Sequence, residues 1–113
     1  MALALNVFKT ITKVATTNAV GIYTSPVGYT GVVLLAQAAN IGGGTQTVSF
    51  SHRRTVAGIA VTTEILKDFP ISASDTANLL SGKLVLESGD ALVLNASNGT
   101  DIKFLGSVLE TLN

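Results

Sequence analysis

Short runs in which apolar and polar residues alternate recur along this chain, and clusters of turn residues separate them. The first run, residues 7–17, shows the pattern most clearly. If the run is a strand, one side carries Val7, Lys9, Ile11 and Lys13, and the other carries Phe8, Thr10, Thr12 and Val14. A period of two among β-branched residues indicates a strand with one buried face.

Seven further segments are predicted to be strands: 20–24, 29–40, 46–54, 61–71, 83–87, 91–96 and 101–112. Residues 34–39 are rich in alanine, a good helix former, but the neighbouring Val32-Val33 pair favours a strand. Gly42-Gly43-Gly44 is predicted to form a hairpin tip, and Ser88-Gly89-Asp90 to join two strands of a second hairpin. Residues 55–60 are predicted to be a loop, and residues 76–80 one short helical turn before Gly82.

Eight strands at this spacing are typical of a β-sandwich or a β-barrel. The 113 residues fit one domain. We therefore expect an all-β fold: a single-domain antiparallel β-sandwich, jelly-roll-like, of about eight strands. Residues 7–113 would form the sandwich, and residues 1–6 an N-terminal arm or an extra strand, because termini are poorly ordered unless they dock.

Charged residues are scarce: they make up 12% of the chain, against roughly 25% in an ordinary soluble domain. Apolar residues reach 47%, yet residues 31–41, the best apolar run, are far shorter than the roughly 20 residues of a membrane-spanning helix. Ser and Thr together number 23, and hydroxyl-rich surfaces lose less on burial than charged ones. We interpret the shortfall of charge as a surface that partners cover; the alternative is a neutral surface in a free domain.

Several function classes lose support from composition alone. The net charge is zero, so no basic surface for nucleic acid or an anionic membrane is expected. There is no cysteine, which excludes disulfides and thiolate metal sites. The N-terminus lacks a basic region and a clear cleavage site, so we expect no signal peptide.

The sequence also contains few residues that could form a catalytic site. His52 is the one histidine, and neither Ser49 nor Ser51 is spaced from it as a catalytic serine would be. Glu87 and Asp90 flank a turn and could share a calcium ion, but Asp90 more simply caps that turn by binding backbone amides. We expect no enzyme and no cofactor.

Candidate inter-subunit contacts are the apolar Leu3 and Leu5 near the N-terminus, and Arg53 and Arg54. His52-Arg53-Arg54 is the one cluster of basic residues. It suits an inter-subunit ion pair, because the guanidinium group pairs with carboxylates through a planar fork. A solvated strand end and a phosphate site are the alternatives.

Four stretches of sequence carry a resemblance to a known class of protein. They are Gly21-Ile22-Tyr23-Thr24-Ser25-Pro26-Val27-Gly28-Tyr29, Leu35-Ala36-Gln37-Ala38-Ala39-Asn40, Lys83-Leu84-Val85-Leu86-Glu87-Ser88-Gly89-Asp90 and Gly106-Ser107-Val108-Leu109-Glu110. In this order they resemble small virion structural proteins of tailed bacteriophages, of the marine cyanophage type, over about residues 20–112. The resemblance implies a β-sandwich on a phage head, neck or tail, without catalytic residues.

The sequence therefore predicts a non-enzymatic virion structural protein that assembles in symmetric copies, as a capsid decoration (cement) protein or a neck or tail subunit. Its partners would be other copies and a major capsid protein or neck and tail proteins, with no nucleic acid and no membrane. It would be made in the bacterial host cytoplasm and reside in the virion. The alternatives are a receptor- or carbohydrate-binding module on a tail fibre and, with least support, a small β-barrel enzyme.

Overall fold

Strands account for the regular structure of the part of the chain that the structure describes. The structure, a computed structural model, describes residues 6–113. The strands are β1 (Asn6–Val14), β2 (Val20–Thr24), β3 (Tyr29–Asn40), β4 (Gln46–Val56), β5 (Ile59–Ile71), β6 (Thr76–Asn78), β7 (Leu84–Leu86), β8 (Ala91–Ala96) and β9 (Ile102–Leu112). Among the described residues there is no helix of the length and apolar character that crossing a membrane requires.

The strands form two antiparallel sheets. Sheet A has the order β1-β9-β3-β6, with β7 also paired to β3, and sheet B has the order β2-β8-β4-β5. Strands β6 and β7 pair with opposite ends of β3 and so share one edge of sheet A. Each sheet thus has four strand positions, with β6 and β7 sharing one of them, and this strand order is the jelly-roll form of the β-sandwich. The predicted fold class is confirmed.

The core lies between the inner faces of the two sheets. Phe50 of β4 and Phe104 of β9 meet across this gap, with ring centroids 5.7 Å apart and planes inclined by 36°. Aliphatic side chains from both sheets surround the pair, among them Val33, Val48, Leu92, Leu94, Ile102 and Val108. Alternation along each strand places these residues inward, as the period-two pattern predicted.

The two predicted hairpins are wrong, because the chain changes sheet at both turns. Residues 42–44 join β3 of sheet A to β4 of sheet B, and residues 88–90 join β7 of sheet A to β8 of sheet B. The first crossover is held by buried Asn40, whose side-chain amide donates to the carbonyls of Gly44 (2.8 Å) and Ile71 (2.9 Å). Its side-chain oxygen accepts from the Gly42 amide at 2.9 Å.

Two local predictions also differ from the structure. Residues 76–78 form strand β6 and not a helical turn, because Ala77 pairs with Ala38 and packs against the core. The predicted loop at 55–60 contracts to a two-residue turn at Ala57 and Gly58 between β4 and β5. Tertiary pairing outweighs the weak local preference in both places.

The turn before β8 depends on Gly89, whose φ is +87°. The Asp90 amide donates to the Glu87 carbonyl at 2.9 Å, and the Gly89 amide donates to the Ser25 carbonyl at 2.9 Å. Glycine at the third position of such a turn adopts positive φ without a steric cost. The turn thereby fixes β7 and β8 relative to the connection between β2 and β3.

We predict that Gly89→Val lowers the free energy of unfolding by at least about 1 kcal/mol, because a β-branched residue is strained at positive φ. Gly99→Val is the matched control. The φ of Gly99 is not positive, and an added side chain there would meet only open space. Urea denaturation of both variants measures the difference. Equal effects at the two positions would show that the conformation of Gly89 is not required.

Candidate assembly surface

The outer face of sheet A is a continuous surface across β1, β9, β3 and the β6–β7 edge. The register places one residue of each strand side by side in rows on this face. One row contains Phe8, Leu109, Val32 and Val85; a second contains Thr12, Leu105, Gln37 and Asn78. We call this surface the sheet A face.

Large apolar side chains on the sheet A face are open to solvent. Phe8 is 75% exposed and Leu105 is 41% exposed, and Val14 and Val85 are exposed as well. A β-bulge in β3 adds to them, because the register shifts between Val33 and Leu35 and leaves Leu34 as an extra, exposed residue. Exposed apolar groups collected on one face mark a surface that another molecule covers.

The same face is nearly free of charge. Between the apolar residues lie hydroxyl and amide side chains, including Thr10, Ser107 and Gln37, and Lys103 is the one charged residue among the described positions of the face. The outer face of sheet B differs, since Arg53 and Glu64 lie on it. The scarcity of charge noted in the sequence is therefore concentrated on one side of the molecule.

The sheet A face approaches the size of a standard protein–protein interface. Four strands span about 19 Å and nine residues about 30 Å, which gives a flat footprint of about 600 Å². A standard interface buries about 800 Å² on each partner. An open groove of about 530 Å³ lies at the end of β1, lined by residues of both sides of the strand: Thr12, Lys13, Val14, Lys103 and Phe104.

Charged groups elsewhere bind each other within the chain. Arg54 donates to both carboxylate oxygens of Asp90, at 3.0 and 2.6 Å, and to Glu87 at 2.9 Å. The ring of His52 also contacts Asp90, with 3.0 Å between Nε2 and Oδ2. Asp90 caps the turn as predicted, because its carboxylate accepts from the Glu87 amide at 3.0 Å.

Asp90 is 3% exposed and strongly held in its ionised form. The hydrogen bonds from Arg54 lower the pKa of the carboxyl group to about 2, with help from His52 and the Glu87 amide and against the effect of burial. The same hydrogen bonds raise the pKa of Arg54. The cluster fixes the start of β8 to β4.

A second buried carboxylate has partners too. Glu110 accepts a hydrogen bond from the hydroxyl of Tyr23 and lies 3.5 Å from the amino group of Lys9. Burial and the neighbouring Glu110 raise the pKa of Tyr23. This contact joins β2 of sheet B to β9 of sheet A, so it serves the fold.

No group of three or more His, Asp or Glu side chains that could hold a metal ion occurs within residues 6–113. Glu87 and Asp90, the two carboxylates considered for calcium, share the guanidinium group of Arg54. The guanidinium group of Arg54 therefore lies where a calcium ion between these carboxylates would bind.

Two of the four residues predicted as inter-subunit contacts, Arg53 and Arg54, lie in the described part of the chain. Leu3 and Leu5 lie outside the described residues. Arg53 is half-buried on the outer face of sheet B, and Arg54 belongs to the intramolecular cluster with Asp90. Neither arginine lies on the sheet A face, and the role of all four residues between subunits stays a prediction.

Sequence reasoning missed the residues that form the sheet A face. Phe8, Leu105 and Val85 are distant in sequence, and the pairing of β1 and β3 with β9 and of β7 with β3 brings them to one face. The alternation in β1 does predict that Phe8, Thr10, Thr12 and Val14 share one side of the strand. Which side faced outward depended on the pairing.

No protein-family model matches the chain, and no curated protein matches it by sequence. Solved structures do match it in fold. A chain of the T13 infectious bursal disease virus particle superposes with a TM-score of 0.59 at 9% identity, over 97% of this chain and 32% of that chain. This protein thus spans about a third of the length of the viral chain.

Two smaller proteins match over nearly their full length. A chain of the capsid of the Helicobacter pylori bacteriophage KHP30 gives a TM-score of 0.57 at 12% identity, over 96% of this chain and 89% of that chain. A chain of the disulfide-linked pili of Bacillus endospore appendages gives 0.51 at 16% identity, over 100% and 97%. At these identities the likeness shows the shared fold.

We predict that Asp90→Asn destabilises the chain at pH 7 by about 2 kcal/mol, the amount that corresponds to the lowered pKa. Because the folded-state pKa lies below the ordinary value of 3.8, this stability is present above about pH 4. It is lost as the pH falls through about 2. Urea denaturation between pH 7 and pH 2.5 should therefore show the gap between wild type and variant narrowing in acid.

Glu87→Gln is the control for Asp90→Asn, because the Glu87 side chain is exposed and its ion pair with Arg54 is weak in water. It should change stability by less than about 0.5 kcal/mol. Equal effects of the two substitutions would contradict the central role of Asp90, and so would a gap that persists unchanged at pH 2.5.

We predict that Leu105→Glu weakens self-association or particle binding at least tenfold and leaves the thermal midpoint nearly unchanged. Leu105 is partly exposed, so the fold tolerates a carboxylate there, whereas an interface would have to bury the charge. Val27→Glu is the control, because Val27 is exposed in the connection between β2 and β3, away from the sheet A face. Sedimentation equilibrium at micromolar concentrations measures the difference. Association unaffected by Leu105→Glu would place the interface elsewhere.

Proposed function

We propose that this chain is a non-enzymatic structural subunit of a virus particle, assembling in symmetric copies and covering its sheet A face against neighbours. The observation that carries the proposal is the sheet A face itself, which is apolar, almost free of charge and close to a standard interface in area. An enzyme has no need of such a face, and a free domain would expose it to aggregation. Closed symmetric assembly buries the same surface repeatedly.

The comparisons in fold support this class of function. Jelly rolls recur in viral capsids, and both the bursal disease virus chain and the bacteriophage KHP30 chain belong to virus particles. The likeness to a pilus subunit points the same way, toward a small β-sandwich used as a building unit. Fold alone does not determine function, so the face carries the argument.

Within this class we propose a tailed-phage protein: a capsid decoration (cement) protein first, and a neck or tail subunit second. The support is the resemblance of four stretches to small virion proteins of the cyanophage type. These stretches lie at the β2–β3 connection, at the end of β3, at β7 with its turn, and in β9. The partners would be other copies and a major capsid protein or neck and tail proteins, and the chain would join the virion after synthesis in the bacterial cytoplasm.

The alternative of a receptor- or carbohydrate-binding module on a tail fibre has no comparable support. Sugar sites use exposed aromatic side chains as platforms. The two most exposed aromatic residues of the chain, Phe8 and Phe69, lie on different sheets, in β1 and β5. They do not form one platform.

Quantitative mass spectrometry of purified virus particles tests the proposal. Hundreds of copies per particle are expected for a decoration protein, and a small multiple of three or six for a neck or tail subunit. A chain that is abundant in infected cells and absent from purified particles would refute the structural role.

A further inference from the structure

The hairpin of β4 and β5 extends beyond the body of the sandwich. Strand β8 pairs with β4 from Val48 to Arg53, whereas β4 continues to Val56 and β5 begins at Ile59. The hairpin contributes to a molecule 48 Å long and 24 Å thick. We call residues 54–61, the part of the hairpin past β8, the overhang.

Three apolar side chains share one side of the overhang. Val56 pairs with Ile59 and Arg54 with Val61, so Val56, Ile59 and Val61 lie on the same side. Val56 is 63% exposed and Val61 58%. This is a second apolar patch, separate from the sheet A face.

Strand β5 forms the outer edge of sheet B, and its two halves differ in how that edge is protected. The half within the sandwich contains Lys67, Asp68 at a φ of +50°, and Pro70, and β5 itself is bulged there, with extra residues between Glu64 and Phe69. Charges, bulges and proline prevent an exposed edge from pairing with another chain. Residues 59–63 contain none of these features, so the unprotected half is the one that projects.

The unprotected half also offers free backbone groups. The turn at Ala57 and Gly58 has positive φ at both residues, 53° and 79°, as in type I′ hairpins. Such a turn closes on a hydrogen-bonded pair, here Val56 and Ile59. Because inward and outward bonding alternate along the strand, the amides and carbonyls of Ala60 and Thr62 are directed away from β4.

We propose that residues 59–63 pair antiparallel with the same residues of a second copy of this chain, about a two-fold axis at Val61. Ala60 then lies opposite Thr62 of the second copy, and both outward sets of backbone groups are satisfied. The two Val61 side chains lie side by side at the axis. Sheet B continues from one copy into the next.

The charge pattern and the overhang both fit a second copy as the occupant. In this register Glu64 lies opposite Gly58 of the other copy, so the two Glu64 carboxylates stay apart. A register centred on Thr63 would bring them close. Because residues 59–61 of each copy project beyond β8 and the two strands run antiparallel, the two sandwich bodies lie on opposite sides of the axis at Val61.

Val61→Cys tests the pairing directly, since the chain contains no other cysteine. A non-hydrogen-bonded antiparallel pair has Cα atoms about 4.5 Å apart, within the range that a disulfide spans. The variant should form a disulfide-linked dimer under mild oxidation at micromolar concentration. Val56→Cys is the control: it is equally exposed, but as a residue of β4 it lies three strand spacings, about 14 Å, across the sheet from its counterpart and is also offset from it along the strands.

Cross-linking of Val61→Cys at least tenfold faster than Val56→Cys is the expected result. Equal rates would indicate random collision and overturn the proposal, and so would a Val61→Cys chain that stays monomeric or forms open-ended fibres. The proposal deepens the proposed function by naming one contact between copies, but it uses a different surface. Cross-linking that persists when Leu105→Glu is added would show that the overhang pairs independently of the sheet A face.

Discussion

Phe50 and Phe104 meet across the gap between the two sheets, and the rest of the structure is arranged around that contact. One ring comes from β4 of sheet B and the other from β9 of sheet A, with 5.7 Å between their centroids. The central strands must place alternate side chains inward to enclose this pair, so their other side chains face outward. The character of the two outer faces is thereby free to differ, and it does.

The charged residues that stabilise the fold lie away from the surface proposed for assembly. The buried carboxylates Asp90 and Glu110 both have cationic or hydroxyl partners within the chain, at the margins of the sandwich. Such partners offset the cost of removing a carboxylate from water. The sheet A face is left apolar and neutral, which lowers the cost of covering it with a neighbour.

Strands could be predicted from sequence wherever alternation was strong, because alternation reflects burial directly. The alanine-rich part of β3 was assigned correctly on the strength of the neighbouring Val32-Val33 pair. The sheet changes at residues 42–44 and 88–90 could not be predicted, because a glycine-rich turn has the same composition in a hairpin and in a crossover. Which strands pair is decided by the whole core.

The candidate surface was harder to predict from the sequence than the fold. Arg54 stood out as part of a basic cluster, but its carboxylate partners lie 33 and 36 residues further along the chain. Phe8 and Leu105 do not stand out in the sequence. They share one surface only because β1 pairs with β9 in the observed register. Scarcity of charge predicted that a covered surface exists; the strand order determines where it lies.

Hydroxyl-radical footprinting of the chain, dilute and then assembled, tests the central claim most directly. Phe8 on the sheet A face and Phe69 on β5 of sheet B are both exposed in the single chain and can both be oxidised. If the sheet A face is the assembly surface, oxidation of Phe8 falls strongly on assembly while that of Phe69 is nearly unchanged. Oxidation of Phe8 at the same rate in the assembled state would contradict the account.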